Sequence, residues 1–343
     1  MNFLNIFNIL LLFGLASSSL IDRFRDWVYD YKIVIHSDDH EMIVFEKWLI
    51  NDKYIEDFNS KNYTFILGHN QFSGMDSNEF SAYLGYSKKY ESVSNLRGNA
   101  IKVSPSIDGS FASFTSLPLS INWVENGAVT NVKDQGKCGS CWSFSTTGAL
   151  EGAYYIKYGD LVSFSEQQLV DCDNLKNGGK DHGCNGGLMD NAYSWISKNG
   201  GLCSESSYPY SSGTKKTSGT CMKTCSLIYG SDVDSFVDVT PNSDIAMMSA
   251  LVNQPVSIAI EADQKEFQLY KSGVFTASCG TNLDHGVLVV GYGTLDDEDY
   301  YLVKNSWGST WGSDGYIYLG RGSEYNDGAG QCGLLMEGSY PVL

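Results

Sequence analysis

The sequence predicts an α+β protein of two lobes, a helical lobe followed by a strand-rich one, with a separate helical segment in front. Three observations carry that prediction. Residues from about 20 to 90 show helix-type apolar spacing and contain no cysteine, whereas all nine cysteines, Cys138 to Cys332, lie further on. Serine, glycine and asparagine dominate the stretch between the two regions. Near Ser231 the body itself changes texture, from helix-type patterns to short β-type runs separated by glycine turns.

In chain order, the apolar run Ile9 to Ala16 and the small residues after it read as a signal peptide over residues 1–19, without a basic n-region, cleaved after Ser18 or Ser19. The alternative is an apolar N-terminal helix. No other run approaches the ~18 apolar residues that a membrane span requires. Phe45, Trp48, Leu49, Ile55 and Phe58 recur at near-helical spacing and predict an amphipathic helix. Ser87 to Ser116, with Pro105, predicts a flexible connector where proteolysis is easiest. The expected division is therefore a leader (1–19), a removable front piece (20–116) and a cysteine-rich body (117–343).

Within the body, Trp142, Phe144, Ala149, Leu150, Ala153 and Ile156 predict a helix from Ser140 to about Tyr158, with Ser140 and Cys141 at its start. Ser165 followed by Gln168 is a capping-box pattern that opens a second helix. Met189 to Lys198 predicts a third, ended by Gly200 and Gly201. Val256–Ile260, Val287–Val290, Tyr300–Lys304 and Tyr316–Leu319 predict strands. There is no internal repeat and no low-complexity tract.

Composition narrows the function. Of 343 residues 42% are hydrophobic and 18% charged, as in a globular protein. The formal net charge of −17 repels nucleic acid and anionic membranes alike, so neither is an expected partner. Cysteines behind an export signal predict disulfides. Nine is odd, which leaves one thiol to be explained.

Cys141 lies in Gln135-Gly-Lys-Cys-Gly-Ser-Cys141-Trp142 at a predicted helix start, where the dipole and a protonated histidine favour a thiolate, a strong nucleophile toward carbonyl carbon. Two alternatives use Cys138 and Cys141 as a C-x-x-C pair. Zinc needs further paired ligands, and the other cysteines are scattered; a redox pair belongs in a small βαβ domain. Of five histidines, His36, His40 and His69 fall in the front piece and His182 in a polar, glycine-rich loop. His285 opens a strand-like run, from which its ring can be aimed across a cleft between the lobes. Asn305, at the end of the Tyr300–Lys304 strand, is the candidate to orient that ring without adding charge.

Taken together, Gln135, Cys138-Gly-Ser-Cys141-Trp142, Gly183-Cys-Asn-Gly-Gly187, Asp284-His285-Gly286, Asn305-Ser-Trp307-Gly and Tyr340-Pro341 resemble, in order and over nearly the whole chain, the papain family of cysteine peptidases, most of all its cathepsin L-like group. The resemblance implies a papain-like two-lobed fold, with a helical lobe, a β-barrel-like lobe and an inhibitory helical prosegment. It implies a zymogen of a cysteine endopeptidase acting through Cys141, His285 and Asn305. Gln135 would serve the oxyanion hole and Trp307 would shield the His285–Asn305 bond. It implies the bridges Cys138–Cys184, Cys172–Cys221 and Cys279–Cys332; Cys203 and Cys225, outside the common pattern, are expected to form a fourth. Gly186, Gly187, Leu188, Met189, Ala259, Leu283 and Asp284 would contact substrate. Glu337 would form the floor of the subsite for the second residue before the scissile bond, adding arginine to the apolar side chains accepted there.

In the prosegment, Trp48, Asn51, Ile55 and Asn59 keep the family spacing, but His40 and Val44 stand where glutamate and arginine are usual. Gly68, Asn70 and Phe72 match its second motif, with Gly74 in place of aspartate. Asn62-Tyr-Thr64 is the one glycosylation sequon. No metal or cofactor is implied. Expected partners are protein and peptide substrates, the chain's own prosegment and cystatin-type inhibitors, with a monomer in the lysosome or outside the cell. Two other classes compete: a non-catalytic binding relative and a disulfide oxidoreductase.

Overall fold

The computed structural model describes residues 14–85 and 117–343, with side chains from Leu20 onward. The expected connector, Ser87 to Ser116, and the leader through residue 13 lie outside the described residues.

The front segment contributes two helices, α1 (Gly14–Asp30) and α2 (Asp38–Asn59). Ser37 caps α2, its Oγ accepting from the His40 N–H at 3.2 Å, and Asp38, Asp39 and Glu41 complement the dipole in the first turn. Phe24 and Trp27 of α1 pack on Val44 and Trp48 of α2 in a small core of their own. A Cβ on Gly74 would lie 2.7 Å from the Trp27 ring and 2.9 Å from Val44 Cγ1. Two of the three positions that depart from the family pattern, Val44 and Gly74, thus meet in space, with the Trp27 ring packed beside both. Strand β1 (Phe65–Leu67) follows, tied back to α2 because Asn59 donates to the Leu67 carbonyl at 2.8 Å and accepts from its N–H at 2.9 Å.

The helical lobe is built on α3 (Cys141–Tyr158), α4 (Glu166–Cys172) and α5 (Met189–Asn199). Gly159 and Gly200, at φ 75° and 77°, end α3 and α5 in the left-handed conformation that glycine adopts without strain. Ser165 Oγ accepts from the Gln168 N–H at 3.0 Å as the capping-box pattern requires. The reciprocal bond is replaced: Gln168 Oε1 accepts from the Cys203 N–H at 2.8 Å and so ties the cap to a neighbouring segment.

The other lobe holds β2 (Ile121–Asn122), β3 (Ser235–Asp238), β4 (Val256–Ile260), β5 (Tyr270–Phe275), β6 (His285–Leu295), β7 (Glu298–Lys304), β8 (Tyr316–Gly320) and β9 (Gly338–Val342). The order is β1-β5-β8-β7-β6-β4-β9-β3, with β2 on β6. Among the described strands only the β5–β8 pair is parallel. Among the described residues this path ends at β1 and β3 without meeting itself, so the expected barrel is an open sheet. Its β5 edge is covered by β1 of the front segment. β6 continues beyond the predicted Val290 because Gly291 leaves room for the Ile121 carbonyl of β2. The strands β3, β5 and β9 and helix α6 (Asp244–Leu251) were not expected from the sequence.

Four disulfides join Cys138 to Cys184, Cys172 to Cys221, Cys203 to Cys225 and Cys279 to Cys332, leaving Cys141 free and buried. Among the described residues no helix is long and apolar enough to cross a membrane. Titration of the unfolded, unreduced protein with a thiol reagent is expected to find one thiol, and two or more would contradict this pairing. Replacing Cys203 and Cys225 together by serine should lower the free energy of unfolding by ~3 kcal/mol in a urea melt, the loop-closure contribution for a span of this length.

Candidate active site

Cys141 is the first residue of α3 and is fully buried. Its Sγ accepts from the Gly286 N–H at 3.2 Å, and the backbone N–H groups of Gly85 and Trp142 also face it and favour its ionised form. Gly286 follows His285, the first residue of β6, so the residue beside the imidazole touches the sulfur. A Cβ at Gly286 would press 3.3 Å from the backbone of Trp142 and from Met189 Sδ. Glycine is what lets β6 approach the helix start.

His285 Nε2 and Asn305 Oδ1 lie 2.8 Å apart. With the amide oxygen toward the ring, Nε2 carries the proton and donates, which leaves Nδ1 with its lone pair free to act as a base. Asn305 Oδ1 also accepts from the Ser306 N–H at 2.8 Å. The Trp307 indole stacks on the imidazole at 4.5 Å between ring centroids and is itself fully buried, so water does not reach the bond. Gln135 is held by Ser306 twice, through its N–H to the Ser306 carbonyl at 2.9 Å and through Oε1, which accepts from Ser306 Oγ at 2.6 Å. Tyr210 also supports it, donating to the Gln135 carbonyl at 2.8 Å. Sequence reasoning overlooked Ser306, Tyr210 and the Gly286 N–H. Ser306 was visible inside Asn305-Ser-Trp307, whereas a backbone donor leaves no mark in a sequence.

The front segment covers this arrangement. Phe72 and Phe80 meet the Trp307 ring edge-on, each at 5.3 Å. Gln135 Nε2 donates to the Tyr83 carbonyl at 2.8 Å and to the Cys138 carbonyl at 2.9 Å, and Gly187 N donates to the Gly85 carbonyl at 3.3 Å. Covering changes the charges. Burial pushes the Cys141 thiol up to about 12, against the pull of the Gly286, Gly85 and Trp142 N–H groups. Burial likewise pushes His285 down to about 4, against its bond to Asn305. The covered site therefore holds a neutral thiol and a neutral imidazole whose Nδ1 has no hydrogen-bond partner. In this form the thiolate expected at the helix start is disfavoured, because the part of the front segment that crosses the site, Phe72 to Gly85 (the strap), removes the water that would stabilise either charge.

Met189, Ala259 and Leu283 are buried in one apolar cluster, with half-buried Leu188 and Met336 against it; Met336 was not foreseen. Gly186 and Gly187 are buried beside Trp142, and Glu337 is half-buried, its carbonyl accepting from the Ala259 N–H at 3.2 Å. Asp284 Oδ1 accepts from the Ala262 N–H at 2.8 Å, and burial raises this carboxyl to about 7. His182 stays in its loop, half-buried. Asn62 is exposed in the turn between α2 and β1. Among the described residues no group of three or more His, Cys, Asp and Glu side chains is arranged to hold a metal ion.

Residues 117–342 match the family described as papain family cysteine protease, and residues 24–80 match the cathepsin propeptide inhibitor domain. The senescence-specific cysteine protease SAG39 of Oryza sativa subsp. japonica is 39% identical over 95% of this chain and 91% of its own length. Cysteine proteinase RD21A of Arabidopsis thaliana is 44% identical over 87% of this chain, which spans 61% of that relative. The crystal structure of the Amb a 11 cysteine protease, a major ragweed pollen allergen, in its proform aligns with a TM-score of 0.80 at 37% identity, covering 95% of each chain.

A Cβ on Gly85 would overlap the Gly139 carbonyl, so Gly85→Ala is expected to lift the strap. Overpacking of this kind costs about 1–3 kcal/mol, which should raise the rate of Cys141 alkylation in the intact precursor by roughly 5- to 150-fold; an unchanged rate would contradict the contact. Acidification has the same sign. His285 ordinarily titrates near 6.5 and here near 4, so between those values protonation favours the uncovered form, and the strap should be released as pH falls through that window.

Proposed function

The chain belongs to the papain family of cysteine proteases and carries that family's propeptide inhibitor domain, making it a cysteine endopeptidase produced as a zymogen, and on that premise we propose that Cys141, His285 and Asn305 are its catalytic residues. The observation that supports this most directly is the seam at the head of β6. There Gly286 N–H reaches Cys141 Sγ while the neighbouring His285 is bonded to Asn305 at 2.8 Å beneath Trp307. Once the strap leaves, Nδ1 takes the thiol proton and the thiolate attacks the peptide carbonyl carbon. Gln135 Nε2 and the Cys141 N–H stabilise the oxyanion, and His285 then protonates the departing amine. Water, deprotonated by His285, hydrolyses the acyl-enzyme.

The inhibitor is residues 20–116 and the enzyme residues 117–343 after loss of a leader at 1–19. The inhibitor's grip rests on the Phe72–Phe80 contact with Trp307 and on β1 against β5. Four disulfides fit the oxidising secretory route, in which Asn62 is an accessible glycosylation position and the lysosome or the exterior the destination. The mature enzyme works as a monomer open to cystatin-type inhibitors. Met189, Ala259 and Leu283 supply apolar walls for the second residue before the scissile bond, with Glu337 beside them to pair with an arginine guanidinium.

A peptidyl electrophile should label Cys141 in the processed enzyme and fail to do so in His285→Ala; labelling elsewhere, or labelling indifferent to His285, would refute the assignment. Gln135→Ala should lower kcat by about 10²–10³-fold with the fold intact. Glu337→Ala should lose at least ~10-fold in kcat/KM for substrates with arginine at the second position while leucine substrates hold, since a charge-assisted pair of this kind is worth about 1.5–3 kcal/mol. Equal losses for both would count against the role.

A further inference from the structure

The hydroxyl of Tyr210 touches two backbone segments of the site, and the chemistry above does not use it. It donates to the Gln135 carbonyl at 2.8 Å and lies 2.7 Å from Ser140 Oγ. A phenol has one proton and a carbonyl can only accept, so that proton belongs to Gln135 and the Ser140 hydroxyl donates to the phenol oxygen. The Cys138 carbonyl, 3.4 Å from the same Oγ, is the poorer acceptor. Ser140 is fully buried and stands at the N-cap of α3, where a serine hydroxyl ordinarily accepts from an N–H of the first turn. Here it makes no such bond, being turned to Tyr210 instead.

The segment that carries Tyr210 is pinned on both sides of the ring. The Tyr210 N–H donates to Glu205 Oε1 at 2.7 Å, and the Ser211 and Ser212 N–H groups both donate to Gln167 Oε1 of α4, at 2.7 and 2.9 Å. Phe144 of α3 meets the ring edge-on at 4.9 Å. A Cβ on Gly213 would lie 2.6 Å from the Gln135 carbonyl oxygen and 3.1 Å from Tyr210 Cε1, so glycine lets the two segments close on each other. Burial raises the phenol well above its ordinary range, and it remains a donor while His285 titrates. A hydroxyl held this rigidly can fix a distance. Gln135 carries one of the two oxyanion donors on its side chain, and the Cys141 N–H, the other, belongs to the peptide that Ser140 begins. Between them the chain loops through Gly136, at φ 55°, and the Tyr210 hydroxyl bridges the two ends of that loop.

We propose that Tyr210 is a positioning residue of the oxyanion site, its hydroxyl setting the spacing between Gln135 and the Cys141 N–H, so that its loss slows the chemical step and leaves ground-state substrate binding unchanged. This inference rests on the catalytic assignment made above. Losing one oxyanion donor outright costs about 10²–10³-fold in kcat, and a donor displaced but present costs part of that. In processed Tyr210→Phe, which keeps the ring, kcat should fall roughly 10-fold with KM held within about twofold. Two further readouts separate this from a general loosening of the lobe. In the Gln135→Ala background, where one donor is already gone, Tyr210→Phe should cost less than about threefold. Iodoacetamide alkylates a thiolate at a saturated carbon, the S–C bond forming as iodide leaves and no oxyanion arising, so its rate on Cys141 and the pH profile of that rate should match the wild type. An unchanged kcat, a loss carried by KM, an undiminished loss in the Gln135→Ala background, or alkylation slowed as much as turnover each overturns the proposal. If Tyr210→Phe does not fold, Ser140→Ala cuts the same bridge at its other end. There kcat should fall at least about threefold with KM and the alkylation rate held, and an unaltered kcat overturns the proposal equally. Cys141 left unlabelled by iodoacetamide in a fully inhibited wild type would overturn the catalytic assignment itself, so the position of the label tells the two failures apart.

Discussion

The close approach of α3 to β6 is the constraint on which the rest of the molecule depends. Cys141, Ser145, Gly148 and Gly152 fall at spacings of three and four along one face of the helix, and each serves that approach. A Cβ on Gly148 would lie 2.8 Å from Leu288 of β6, and one on Gly152 would lie 2.7 Å from Pro255, just before β4. Ser145 Oγ donates to the Val287 carbonyl at 2.7 Å, and Ser257 Oγ of β4 donates to the Ser145 carbonyl at 2.9 Å. Small side chains and hydroxyl groups that return to the backbone let helix and strand meet without burying an unpaired polar group. The last turn of the seam, at the helix start, is where Gly286 meets the sulfur. Helix glycines that would weaken an isolated α3 are therefore what brings Cys141 to the head of β6, beside His285.

A second stitch between the lobes is ionic. Lys133 Nζ lies 2.9 Å from Glu151 Oε1 and 2.5 Å from Glu166 Oε1. Lys304 of β7, the residue before Asn305, donates to Thr130 Oγ1 at 3.0 Å, and Thr130 donates in turn to Glu151 Oε2 at 2.6 Å. Buried charges are tolerated only when paired and hydrogen-bonded, and the consequence shows in Lys304, which burial, reinforced by the Lys133 charge, lowers to about 8 despite the two glutamates. The strand end carrying Asn305 is thereby tied to the helical lobe from below, while Trp307 covers it from above.

Much of this was legible in the sequence where residue type and chemistry coincide. Cys141 at a helix start, His285 opening a strand and Asn305 closing one are all found at those places, because the elements concerned carry strong local patterns: α3 in its apolar spacing, β7 in its aromatic and branched run. Elements without such patterns escaped notice. β9 contains Pro341 and begins at Gly338, and β5 is interrupted by Gly273; both are strands because tertiary neighbours supply the partners, not because local propensity demands it. That the sheet of the β-barrel-like second lobe stays open was not legible either, since closure is set by which edges meet and no residue pattern encodes that. At the site, what the sequence could not convey was the backbone: the Gly286 N–H that reaches the sulfur and the Gly187 N–H that holds the Gly85 carbonyl over it.

Those same backbone groups account for how a protease can hold its own chain across Cys141, the nucleophile proposed above, without cutting it. Attack needs a carbonyl carbon over the sulfur, with its oxygen turned to the oxyanion donors. In the covered form the oxygen that Gln135 Nε2 holds belongs to Tyr83, whereas the group presented to the sulfur belongs to Gly85 and is an N–H. The donor and the nucleophile are thus occupied by different peptide units, and neither unit offers both atoms the reaction requires. Burial then removes the charge from the thiol and from the imidazole together, so the ionised pair is absent for as long as the strap is seated. Inhibition therefore lies in the register of the strap and in the water it excludes, and a prosegment with Val44 and Gly74 in place of a charged pair keeps both through Trp27 packing and the Phe72–Phe80 contact with Trp307.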